Sequence, residues 1–247
     1  MTATRPGAPL RIAHAYGNSR RLVQLAFESG VDVIEADVRL QRDGLWLAHD
    51  RRLLFWWFLF GKQAWSEAPQ RFWAFLLHRR PWLDGSSFPL ADLLDLVADR
   101  CGVLLDLKIP LMPDNRRRFV ALLSDTLQNM PPRTHIRLCG DWPLLDAVRS
   151  EFPDLKLYYS VADRRRWRGF VRRIEHGDGI RGVSLRGRLF HEVASRFVRE
   201  KGVEVICWPV DSEAEVVRVT GLGAAGIISY NLALLKSIGG AAAASRR

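Results

Sequence analysis

Glu35 and Asp37, in the string IEADV, stand two residues apart. On a β-strand that spacing points both carboxylates to one face, with Ile34, Ala36 and Val38 making the other face apolar. Carboxylates held side by side repel and raise each other's pKa unless something compensates. A second string, LLDLKI, sets Asp106 and Lys108 at the same spacing inside an apolar run, where unpartnered charge is costly. Three carboxylates converging from adjacent strand ends form an oxygen-only donor set, which suits Mg²⁺ or Ca²⁺ better than zinc. Lys108 would offset part of the negative charge and hold a phosphate oxygen. Taken alone, Glu35 and Asp37 also fit a plain ion pair with barrel arginines.

Two histidines extend the set. His14 stands at the end of the first apolar strand pattern, in RIAHAYGN, and His49 lies in LWLAHD after a hairpin-like turn at 42–44. A lone histidine near a strand is ordinarily a satisfied core residue. Two of them facing a metal-bound phosphate can divide the labour, one as nucleophile or base and one as acid to the leaving alcohol. His78, His135, His176 and His191 have no partner motif and read as structural.

The elements that must position these groups alternate along the chain. Strand patterns are expected at Arg11–Tyr16, Val33–Leu40, Val103–Ile109, His135–Cys139, Lys156–Val161, Gly182–Leu185, Glu204–Val210 and Gly226–Tyr230. Between them, Arg20–Gly30, Leu90–Arg100, Arg116–Met130, Leu144–Phe152, Arg164–His176, Glu192–Gly202 and Glu213–Leu222 carry apolar residues at helical spacing. Eight strands alternating with helices predict an α/β fold with a parallel sheet closed as a TIM (β/α)8 barrel. An open doubly wound sheet is the alternative, weakened because no G-x-G-x-x-G follows the first strand. The chain of 247 residues reads as one domain, 1–247, with an aromatic-rich insertion at 51–88 after the second strand. The tail from Gly239 reads as a frayed end.

The insertion holds five of the nine tryptophans, at 56, 57, 65, 73 and 82, flanked by Arg51, Arg52, Arg71, Arg79 and Arg80. Tryptophan suits the headgroup region and arginine pairs with anionic lipid, so 53–82 is a candidate for peripheral membrane contact. A lid packed on the barrel or on a second subunit is the other reading. Arg164–Arg166, Arg168, Arg172 and Arg173 form a second basic stretch, read as a solvated helix face. The net charge is +10 and the pI about 10.2, which fits polyanions or anionic membranes as well as a codon bias toward arginine. No nucleic-acid motif accompanies the charge, so no nucleic-acid partner is expected. Cys101, Cys139 and Cys207 are odd in number and sit by apolar runs, which argues for free thiols, buried or semi-buried. The start, MTATRPGAPLRIAH, lacks an apolar core of the secretory type, and no run reaches the ~20 residues needed to span a bilayer. A cytoplasmic location, or one at the membrane periphery, is expected.

These strings carry a resemblance. The stretch from Ile12 to Asp50, with AHAYGN and GVDVIEADVRLQRDGLWLAHD, resembles the glycerophosphodiester phosphodiesterase family. Its pattern runs histidine-arginine-glycine, then Glu-x-Asp with an Asp-Gly turn, then histidine-aspartate. LLDLK resembles the family's Glu-x-Lys, and VEVICWPVDSEAEVVRVTGLGAAGIIS resembles its closing strand with tryptophan, helix and glycine-rich end. The resemblance covers nearly the whole chain outside the insertion. Ala15 stands where the family has arginine, Asp106 where it has Glu, and Tyr230 where Asp or Asn is usual. Asp106 and Asn18 are closer to the related sphingomyelinase D and phospholipase D branch. The resemblance implies metal-dependent hydrolysis of a glycerophosphodiester or a lysophospholipid phosphodiester. In that scheme Glu35, Asp37 and Asp106 hold a divalent cation, His14 and His49 are the acid/base pair, Lys108 contacts phosphate, and Trp208 walls the substrate pocket. A core tryptophan is the other reading of Trp208. Ala15 also leaves open a non-catalytic lipid- or ligand-binding protein on a degenerate barrel.

Overall fold

The computed structural model describes residues 8–41, 44–47, 88–108, 113–129 and 135–244. Eight parallel strands run β1 (Leu10–Ala13), β2 (Val33–Leu40), β4 (Gly102–Leu107), β5 (Ile136–Gly140), β6 (Lys156–Val161), β7 (Gly182–Arg186), β8 (Glu204–Trp208) and β9 (Gly226–Ser229). Strand β1 pairs with both β2 and β9, so the sheet closes on itself. Among the described residues the α-helices are α1 (Arg20–Glu28), α2 (Leu90–Val97), α3 (Pro113–Gln128), α4 (Trp142–Glu151), α5 (Arg164–Glu175), α6 (Glu192–Glu200), α7 (Glu213–Gly221) and α8 (Leu232–Ala244). The fold is an α/β TIM barrel.

The alternation of side chains divides the buried residues in two. One set packs between the sheet and the helices, with Ile34, Ala36 and Val38 of β2 facing outward into it. The other lies inside the barrel: Ile12, Val33, Leu104, Cys139, Tyr158, Ile206 and Ile228. Along β2, Val33 belongs to this inner layer, so Glu35 and Asp37 stand above it on the same inward row. The register places Asp37 opposite Asp106 of β4. The three carboxylates therefore rise from an apolar plug toward the C-terminal end of the barrel.

Three local features differ from the sequence expectation. A short strand β3 (Leu45–Leu47) pairs antiparallel with the end of β2, Val38 opposite Leu47; its three residues are too few for a periodic signal. A 3₁₀ turn, Tyr16–Asn18, follows β1 where the strand pattern was extended to Tyr16. The stretch from Gly239 to Ala244 continues α8 rather than fraying, as its run of alanines favours. The insertion at 51–88 lies outside the described residues except for Phe88, so its aromatic character remains a reading of composition. Among the described residues, no helix is long and apolar enough to cross a membrane. The three cysteines are free, and burial pushes Cys101 to about 11 and Cys207 to about 12.

An arginine clip ties α4 to α5. Arg173 donates to both carboxylate oxygens of Asp146, at 2.9 and 3.1 Å, while the Tyr159 hydroxyl donates to Asp146 at 2.7 Å. Burial acts to raise the Asp146 carboxyl. The Arg173 and Tyr159 hydrogen bonds, with the charges of Arg173 and Arg149, outweigh it and hold Asp146 below the ordinary carboxylate range. A folded-state pKa below the unfolded one contributes stability above the unfolded value, and that stability is lost as pH falls. Asp146→Asn is therefore expected to lower Tm at pH 7 by a few degrees, about 1 kcal/mol after screening. The difference should narrow as pH drops below about 4. Thermal scans of both proteins across pH check this.

Candidate active site

Three carboxylates meet at the mouth of the barrel. One ligand-capable oxygen from each of Glu35, Asp37 and Asp106 lies within 4.8 Å of the others. Glu35 and Asp37 are buried. Burial, with the charges of Asp37 and Asp106, holds the Glu35 carboxyl well above its ordinary value. A site built this way gains from positive charge, and an oxygen-only donor set fits a hard divalent cation. Lys108, just past β4, supplies one cation now: its Nζ lies 2.7 Å from Asp37 Oδ1 and also pairs with Asp106.

The turn after β1 fixes these acids from the backbone side. Ala15 adopts a left-handed conformation, φ 60° and ψ 13°, and its N–H donates to Glu35 Oε2. Asn18 grips Asp37 twice. Its Nδ2 donates to Asp37 Oδ2 at 2.8 Å, and its Oδ1 accepts the Asp37 N–H at 2.8 Å. Gly17 permits the approach, because a Cβ there would sit 2.5 Å from the Ala36 Cβ. His14 Nε2 comes to 3.9 Å from Glu35 Oε2. The Tyr230 ring stacks on the imidazole with centroids 4.0 Å apart, and its hydroxyl lies 3.4 Å from His14 Nε2.

A cavity of about 580 Å³ opens over this cluster. His14, Glu35, Asp106 and Lys108 line one side, and Trp208 lines it at the end of β8. The structure thus brings together His14, Glu35, Asp37, Asp106, Lys108 and Trp208. His49 lies outside the described residues, so its place relative to the cluster is not seen.

Other lining residues carry no motif in the sequence. Arg39 follows Glu35 and Asp37 at the same two-residue step, a signal available in the string itself. Ser160 and Ser184 face the cavity from β6 and β7, and Arg166 from α5. Asp141, just past β5, lines it with Oδ1 buried and without a hydrogen-bond partner among the described residues. Burial raises the Asp141 carboxyl, opposed by Arg166, by the Leu144 and Trp142 N–H groups and by Arg116. The result is an acidic centre with basic walls.

Fold and site define a (β/α)8 barrel with a cation-type carboxylate cluster at the C-terminal ends of its strands. Among solved structures, the chain is similar to a protein from Silicibacter pomeroyi assigned as a glycerophosphoryl diester phosphodiesterase. The TM-score is 0.73 at 20% identity, covering 94% of this chain and 93% of that one. It is also similar to an Oleispira antarctica phosphodiesterase solved with the product sn-glycerol-3-phosphate, at TM-score 0.70 and 18% identity over 94% and 96% of the two chains. A glycerophosphodiester phosphodiesterase from Thermotoga maritima matches at TM-score 0.66 and 21% identity, over 93% and 98%. At these identities the likeness is one of fold. No protein-family profile and no curated protein matches the sequence.

Proposed function

We propose that this protein is a metal-dependent phosphodiesterase acting on a glycerophosphodiester or a lysophospholipid. One observation carries the reading: three carboxylates converge beside His14 in a cavity walled by Arg39, Lys108 and Arg166. The phosphodiesterase folds of the structural neighbours support it.

Glu35, Asp37 and Asp106 would hold Mg²⁺ or Ca²⁺, which when bound supplies Lewis-acid polarisation of a phosphoryl oxygen. Lys108 donates to a non-bridging oxygen. It sits close enough to the acids to serve both the site and its substrate. His14 moves a proton at Nε2, the nitrogen nearest Glu35, and His49 would be the second member of the acid/base pair. The attacking oxygen comes from water or from a substrate hydroxyl, the latter giving a cyclic phosphate. The Oδ1 of Asp141 suits a hydroxyl of the glycerol moiety as donor, and Trp208 gives its carbon skeleton an apolar wall. The aromatic composition of 53–82 supports access to lipid-derived substrates from the cytoplasmic face of a membrane.

The test is turnover of glycerophosphocholine and lysophosphatidylcholine with and without EDTA. Activity is expected to vanish with the chelator and to return with Mg²⁺ or Ca²⁺. His14→Ala is expected to lose about 10²–10⁴-fold in kcat, as removal of a positioned acid or base does. Chelator-insensitive turnover, or full activity in His14→Ala, would sink the reading.

A further inference from the structure

Helix α5 serves two cavities. Arg166 lines the catalytic one. Arg164, Trp167 and Arg168 line a second, of about 640 Å³, together with Arg188 and His191. This second cavity lies between the start of α5, after β6, and the 3₁₀ turn Gly187–Leu189, after β7, so it opens on the same face of the barrel.

Its charge is unbalanced. Arg164 and Arg168 sit one helical turn apart on one side of α5, and Arg188 joins them from the turn. None of the three makes a salt bridge among the described residues, whereas Arg173, further along α5, pairs with Asp146 and Asp178. The cavity's carboxylate, Asp163, is occupied as the cap of α5, accepting the Arg166 N–H at 2.9 Å. Three guanidinium groups thus share one cavity with a single carboxylate, and an anion bound there offsets the excess positive charge.

The walls are also held in advance. Arg218 donates to the carbonyls of Phe190 and Gly187 at 2.6 and 3.0 Å, which fixes the turn that carries Arg188. Trp167 is braced by Phe170, stacked at 5.8 Å, and by Phe197, edge-on at 6.0 Å. Arg164, Arg168 and Arg188 are exposed, as a solvated basic face requires, and the cavity that they share is what such a face does not need.

We propose that this cavity is a phosphate-group binding site, separate from the catalytic cavity and next to it. Guanidinium forks match phosphate oxygens in pairs. Two sources share that chemistry: a soluble phosphate compound and the headgroup of an anionic phospholipid.

Inorganic phosphate is titrated calorimetrically into the full chain and into the triple variant Arg164→Gln/Arg168→Gln/Arg188→Gln. The triple variant is expected to bind about tenfold more weakly or worse, for the loss of charge-assisted hydrogen bonds. A control of equal charge loss at exposed positions, Arg165→Gln/Arg181→Gln/Arg196→Gln, is expected to keep the wild-type affinity. Co-sedimentation with phosphatidylglycerol vesicles separates the sources. A lipid headgroup predicts that the triple variant sediments less than the control, and a soluble phosphate that the two sediment alike. Wild-type phosphate affinity in the triple variant, or no saturable phosphate binding to the wild type, overturns the proposal. Turnover of glycerophosphocholine is expected to be unchanged in the triple variant, so this result stands or falls apart from the phosphodiesterase reading.

Discussion

Asp106→Asn is expected to abolish metal-dependent turnover and to weaken Mg²⁺ binding by about a hundredfold or more. The expectation follows from where Asp106 stands. It is the one acid of the cluster contributed by β4, directly opposite Asp37 in the register. Asparagine keeps the shape but supplies a neutral oxygen, so the site drops from three formal charges to two. The polarisation a bound cation supplies is worth several kcal/mol, which corresponds to about a thousandfold in rate. Lys108 compounds the loss, because it pairs with Asp106 and Asp37 together and would be left with Asp37 alone. Calorimetric metal titration and the diester assay check the two effects separately. Wild-type affinity in the variant would remove Asp106 from the ligand set.

The companion substitution Glu35→Gln moves stability the other way. The Glu35 carboxyl has a folded-state pKa raised by burial and by its acidic neighbours. A raised acid costs stability at pH values above it, since the folded state must then hold a buried charge. Glutamine removes the charge and can still accept the Ala15 N–H. The metal-free variant is expected to melt roughly 2–4 °C higher, about 1 kcal/mol, while losing turnover. Equal melting temperatures at neutral pH would contradict it.

Gly140→Ala carries the second large effect. Gly140 ends β5 at φ 125°, a backbone region that L side chains rarely adopt. A Cβ there would lie 2.4 Å from the Leu107 carbonyl oxygen, 2.8 Å from the Leu107 nitrogen and 2.8 Å from Asp106 Oδ1. Two of those atoms are backbone of the neighbouring strand and cannot swing aside. Strain and overpacking together should cost about 3 kcal/mol or more. The push also falls on Asp106, so metal affinity should drop in whatever fraction folds. Gly177→Ala separates the causes. Gly177 has φ 78°, and a Cβ added there would meet nothing within 4 Å, so its cost is the backbone preference alone, about 1 kcal/mol. Urea melts of both variants give the comparison; equal losses would show that the contact with β4 is harmless.

Much of the fold was legible because parallel strands buried on both faces leave apolar runs that helices then separate. Glu35, Asp37 and Asp106 stood out for the same reason, as charges on alternate positions of otherwise apolar strands. What escaped depends on contacts between segments distant in sequence. The grip of Asn18 on Asp37, the stack of Tyr230 on His14 and the steric role of Gly140 each join different strands or turns, and no local pattern marks them. Asp141 was hidden for another reason. A charged residue near a strand end looks like ordinary surface until the neighbouring strands make it a wall. Ala15 stands where the family that the sequence resembles has arginine, and the structure shows this position serving Glu35 through its backbone N–H.

The apolar layer inside the barrel has one further consequence. Ile12, Val33, Leu104, Tyr158, Ile206 and Ile228 form a partition between two sets of charges. Glu35, Asp37, Asp106 and Lys108 lie above it. Below it, Lys156 pairs with Glu204 at 3.2 Å, and the Tyr158 hydroxyl bonds the same carboxylate. The molecule is modular along its axis: a change among the lower charges need not disturb the carboxylate cluster, and a change around the cluster need not disturb the lower end.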